Sequence, residues 1–73
     1  MLVEQDKIFL RKISLRFKKL RELNNLTQED VLNDTGIHIG RIETGSRDFS
    51  ISTLRKLAKY FNVSPSEIIK GIK

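Results

Sequence analysis

The chain has 73 residues, with fourteen Lys and Arg against nine Asp and Glu, one His and no Cys, a net charge of +5 and a pI near 9.9. Disulfides are excluded, and a single His cannot supply the ligands of a structural zinc site, so neither metal nor cofactor is expected. Apolar runs stop at three residues and the start, MLVEQDK, lacks the apolar core of a signal peptide, which excludes a membrane span and points to a cytoplasmic setting.

A domain of this size buries only roughly 60% of its unfolded surface, so it depends on helix packing or oligomerisation. Its basic balance suits a polyanionic partner such as nucleic acid. The charge is uneven. Residues 1–26 hold seven basic and three acidic groups, and residues 46–73 six and two. Residues 27–45 hold four acidic groups and one basic, Arg41. Attraction to a polyanion therefore comes from the two flanks.

In chain order, a first helix is predicted from about Gln5 to Asn24, with residues 1–12 forming its N-terminal extension. Ile8, Phe9, Ile13, Phe17, Leu20 and Leu23 make its apolar stripe. Lys7, Arg11, Lys12, Arg16, Lys18 and Lys19 mostly take the other side, which reads as a solvated face rather than a membrane-binding one. Asn24-Asn25 ends the helix, since Asn tolerates a left-handed backbone.

Thr27 is a good N-cap for a second helix, about Gln28 to Asn33, with Asp30 completing an approximate capping box and Val31 and Leu32 inward. The polar cluster Asn33-Asp34-Thr35-Gly36 breaks the pattern. A third helix follows from about Thr35 or Gly36 to Glu43. Helical spacing puts Ile39, Ile42 and Glu43 on one face and centres Ile37, Arg41 and Thr44 on the other, with His38 and Gly40 at the flanks. Gly45 closes the segment.

After the polar connection Ser46-Arg47-Asp48, Ser50 or Ser52 caps a fourth helix with the stripe Ile51, Leu54, Leu57, Ala58 and Phe61. Asn62-Val63 makes a turn. Ser64-Pro65-Ser66-Glu67 then starts a fifth helix that runs to about Lys70 and ends at Gly71. Residues 1–73 thus read as one all-α domain of five helices, without repeats or strand alternation. Two short helices across a turn, at about 27–45, are the helix-turn-helix outline, whose second helix enters a DNA groove.

Four pieces in order carry a family resemblance: Leu20-Arg21-Glu22 ahead of Leu26-Thr27-Gln28-Glu29, then Arg41-Ile42-Glu43-Thr44-Gly45, then Ser52-Thr53-Leu54-Arg55-Lys56-Leu57-Ala58, then Phe61-Asn62-Val63-Ser64. With these, the chain resembles the Cro/phage-repressor type of helix-turn-helix, the XRE family, over about residues 15 to 69. The resemblance implies a compact five-helix, lambda-repressor-like domain of bacteria or phages that binds a palindromic operator in double-stranded DNA as a homodimer.

One interval departs from that family: Thr27 to Glu43 is about three residues shorter than usual. In one alignment the turn is trimmed to Asn33-Asp34, Thr35 caps the recognition helix and Ile37 faces solvent or DNA. In the other, Gly36-Ile37 is the turn pair, Ile37 is buried and the recognition helix loses a turn. The first is preferred, because Thr35 is a good cap and Ile39 then takes the inward position that the family fills with Ile.

The candidate DNA-binding set is Gln28, Thr35, Ile37, His38, Arg41, Thr44, Ser46 and Arg47. Gln28 matches a Gln that the family sets on the DNA backbone, where an amide donates to a phosphate beside a helix N-terminus. Arg41 matches a position that often contacts a base, and a guanidinium reaches guanine O6 and N7 together. Exposed, Ile37 would touch thymine methyl groups; buried, it is core. His38 approaches a base or phosphate from the flank, and Ser46 and Arg47 meet the backbone, Arg47 adding salt-dependent affinity. An inward Glu43 needs a partner, and the resemblance implies a structural ion pair with Arg21.

Such a domain reads as a small transcriptional regulator, most simply a repressor. Alternatives are the antitoxin of a toxin–antitoxin pair, with a toxin as protein partner, and an interaction module that has lost DNA binding. Nothing resembles a nucleophile–base pair, so no enzyme is expected. Dimer surfaces on offer are Ile68, Ile69 and Ile72, or Leu2, Val3 and Leu10.

Overall fold

The ends of the helices are written in short polar signals. The computed structural model describes residues 4–45 and 48–71, and it holds five helices: α1 (Glu4–Leu23), α2 (Gln28–Thr35), α3 (Ile39–Glu43), α4 (Ile51–Tyr60) and α5 (Pro65–Ile69). Thr27 accepts from the Asp30 N–H while the Asp30 carboxylate accepts from the Thr27 N–H, a full capping box that starts α2. Ser64 and Glu67 repeat the device at α5, with Pro65 in its first turn. Ser50 caps α4 through the Thr53 N–H. Asn25 and Asn62, at φ 56° and 59°, turn the chain after α1 and α4.

Ile13, Phe17, Val31, Ile39, Ile42, Leu57, Ala58, Phe61 and Ile68 form the buried centre, to which every helix contributes. Phe17 lies at its middle, edge-on to Phe49 with ring centroids 6.0 Å apart and 6.4 Å from Phe61. Phe49, in the connection between α3 and α4, is half-buried and packs against this core. Arg16 fastens α1 to the end of α5, donating to the carbonyls of Glu67, Ile68 and Lys70 at 3.1, 3.1 and 2.8 Å. These are carbonyls that a helix end leaves without partners.

The buried face of α1 keeps Ile13, Phe17 and Leu20 of the predicted stripe but is rotated away from the rest. Leu10, Ile13, Ser14 and Phe17 turn inward, while Ile8, Phe9 and Leu23 are exposed. Ser14 takes an inward position because its hydroxyl donates to the Leu10 carbonyl at 2.9 Å, so a residue scored as polar completes the stripe. Leu10 and Ile68, offered as dimer surfaces, are buried; Ile69 is exposed; Leu2, Val3 and Ile72 lie outside the described residues. No helix among the described residues is long and apolar enough to cross a membrane.

Candidate nucleic-acid interface

The turn between α2 and α3 fixes what α3 can present. Thr35 is the last residue of α2 and only 8% exposed. Its hydroxyl donates to the Val31 carbonyl at 2.7 Å and accepts from the Ile37 N–H at 3.1 Å. Gly36 follows at φ 75°, a left-handed position that favours glycine, and its N–H returns to the Leu32 carbonyl at 2.8 Å. The preferred alignment is thereby corrected. Thr35 does not cap the recognition helix or face a groove; its hydroxyl is spent on its own helix and on the turn.

Ile37 is half-buried and packs against the core, so Gly36-Ile37 is the turn pair and it is the second alignment that holds. The recognition helix is a turn shorter as a result. It starts at Ile39, with His38 at the N-cap position making no side-chain cap bond. Thr35 is thus turned inward, and Ile37 keeps only part of its side chain at the surface.

Within α3, Ile39 and Ile42 are buried while Arg41 is exposed, as is Thr44 just past its end. The Thr44 hydroxyl donates to the Arg41 carbonyl at 2.7 Å. Gln28, His38 and Arg41 come together around a shallow depression of about 280 Å³ between the N-terminal ends of α2 and α3. Ser46 and Arg47 lie outside the described residues. Arg11, which the sequence reading left among the solvated cations of α1, runs beside the end of α3: a Cβ at Gly45 would sit 3.2 Å from its Cγ and 3.3 Å from its Cα. No periodicity marks that contact.

Behind this surface, Arg21 and Glu43 join α1 to α3. The Arg21 Nε–H donates to Glu43 Oε2 at 2.6 Å and its Nη2 to Oε1 at 3.0 Å, with side chains 12% and 5% exposed. Such two-point guanidinium–carboxylate pairing fixes direction as well as distance. Arg21 Nη1 also donates to the Leu26 carbonyl at 2.8 Å, holding the start of the motif. The hydrogen bond to Glu43 raises the Arg21 pKa above its ordinary value, overcoming the opposing effect of burial. Gln28 joins them, its Nε2 donating to Glu43 Oε1 at 3.1 Å. Asp30, one of the motif's acids, is engaged in the capping box, and the Thr27 backbone N–H holds its pKa below the ordinary value.

The helix-turn-helix family profile matches residues 17–68, which takes in the last two turns of α1, all of α2, α3 and α4, and most of α5. The chain belongs to the helix-turn-helix family. Among curated proteins it is similar to Control protein C.SmaI of Serratia marcescens, 36% identical over 61 residues that cover 77% of this chain and 73% of that protein. No solved structure matches the chain at a significant level. Family and fold together make this helix-turn-helix protein a DNA-binding transcriptional regulator.

Proposed function

We propose that the protein represses transcription by binding a two-fold operator as a homodimer, with α3 of each copy in the major groove. The supporting observation is the split of α3: Ile39 and Ile42 are buried, and Arg41, the one basic residue of the motif, stands on the exposed face. Arg41 donates to a guanine edge, Gln28 to a phosphate at the head of α2, and His38 and Thr44 line the approach. Arg11, beside the end of α3, and Arg47, which follows the motif in sequence, supply phosphate attraction that the acidic motif lacks. The similarity to a control protein supports the regulatory reading.

The dimer forms over α4. Ile51 is 78% exposed and, with Leu54, lines two apolar grooves. One groove carries Asp6 and Asp48; the other carries Arg55 and Lys59. A two-fold axis beside Ile51 sets the basic groove of each copy on the acidic groove of the other, the self-complementarity that an isologous interface requires.

Selection of bound sequences from a random duplex pool tests the reading. The wild type yields a palindromic site, and Arg41→Ala loses preference at one base pair of each half-site while keeping non-specific binding. Ile51→Arg yields single half-sites. Absence of enrichment by the wild type at low salt contradicts the regulator reading.

A further inference from the structure

We propose that Gly40 and Glu43 are positioning residues that lay the Gln28 side chain across the recognition helix and fix which atoms of its amide meet DNA. The inference rests on the reading of Gln28 as a DNA contact. It starts from an oddity of sequence: glycine, the poorest helix former after proline, as the second residue of a five-residue helix. Its backbone is not in the left-handed region, so conformation does not call for it.

Space does. A Cβ at Gly40 would stand 2.8 Å from Gln28 Oε1 and 3.2 Å from its Cδ. The side chain of the first residue of α2 therefore occupies the place where α3 would carry its own. Glu43 sets the orientation of that amide. A carboxylate only accepts, so the group facing it at 3.1 Å is the NH₂, and Oε1 is the atom that lies over Gly40. Arg21 holds the same carboxylate by two further bonds, which keeps Glu43 in place and balances its charge beside the DNA.

One N–H of Gln28 is thus committed to Glu43. The second N–H and Oε1 have no hydrogen-bond partner among the described residues. The amide arrives at DNA already oriented, with the ordering of a flexible side chain completed in the free protein. A recognition helix one turn short gains, from α2, a polar group that its own residue 40 does not provide.

Gly40→Ala separates this role from a structural one. The obstructing atoms are the end of a flexible side chain, so alanine folds and displaces the amide. Thermal melting and affinity for the selected duplex then move in opposite directions. The midpoint stays or rises, since alanine is the better helix former, while binding weakens about tenfold, the worth of one hydrogen bond to a charged phosphate. Gln28→Ala weakens binding by a similar factor, and adding Gly40→Ala to it costs nothing more. In the free protein, the nuclear Overhauser contact between the Gln28 side-chain amide and the Gly40 α-protons is lost in Glu43→Ala.

Wild-type affinity of Gly40→Ala, with Gln28→Ala weakened, overturns the positioning role and leaves the Gln28 contact standing. Equal losses from Gly40→Ala in both backgrounds overturn it too, because alanine then meets DNA directly. Wild-type affinity of Gln28→Ala removes the contact itself, and the positioning role with it.

Discussion

The α2–α3 pair and the α4–α5 pair are each two helices across a turn on one shared buried centre, yet they differ in where their directional ties lie. Around α2 and α3, the ties are directional: the Thr27–Asp30 capping box, the Thr35 hydroxyl bridging helix and turn, and the Arg21–Glu43–Gln28 chain that joins three helices. Around α4 and α5, Leu57, Ala58, Phe61 and Ile68 are buried together, and the polar ties lie at the ends, at Ser50, Ser64 and Arg16. Burial sets how much surface is hidden but not an angle, whereas hydrogen bonds fix direction. The pair that must present Arg41 at a set angle has the directional ties. The other pair supplies cohesion and leaves Ile51 over for a second copy.

The sharpest way to break this comparison is to remove one member of each kind. Leu57→Ala opens a cavity in the fully buried centre and lowers unfolding free energy by about 3 kcal/mol, with little change in the operator bases preferred. Glu43→Ala strands the Arg21 guanidinium in a half-buried site and costs about 2 kcal/mol. Its effect on sequence preference is larger than that of Leu57→Ala, because α3 loses its orientation. Urea unfolding and duplex selection on both variants check the pair. Equal effects on sequence preference would erase the distinction.

A smaller effect is expected at a polar bond that crosses between the two pairs. The Tyr60 hydroxyl donates to Asp34 Oδ2 at 2.6 Å, and this bond, with burial and the charges of Asp34 and Asp30, pushes the phenol pKa up to about 12. A raised folded-state pKa means that the contribution is complete below the ordinary value of 10.0 and is lost as pH climbs from there through about 12. Unfolding measured across that range falls more steeply for the wild type than for Tyr60→Phe. Parallel curves would show that the bond contributes nothing to the joint.

Much of the architecture was legible in the sequence because capping and spacing are local. Thr27, Ser50 and Ser64 mark three helix starts, and the alternation of Ile39 and Ile42 with Arg41 gives the two faces of α3. The α2–α3 turn was not legible, since Thr35 serves equally as a cap or as a helix-end residue bonded back to Val31. The Thr35 bond to Val31 and the packing of Ile37 against the core decide between them. The inward Ser14, the core role of Phe49, the Tyr60–Asp34 bond and the anchoring of α5 by Arg16 each join residues distant in sequence or contrary to their usual preference. The bridge from Gln28 over Gly40 belongs with them: a glycine gives no sign of the neighbour for which it makes room.

The account turns on which pair meets DNA, and an amide titration asks that most directly. Isotope-labelled protein titrated with its selected duplex shows the largest backbone shifts at Gln28, Gly40, Arg41 and Thr44, with the Gln28 side-chain amide moving alongside them, while Leu57 to Tyr60 change little. Dominant shifts along α4 and α5, with α3 unmoved, would contradict it.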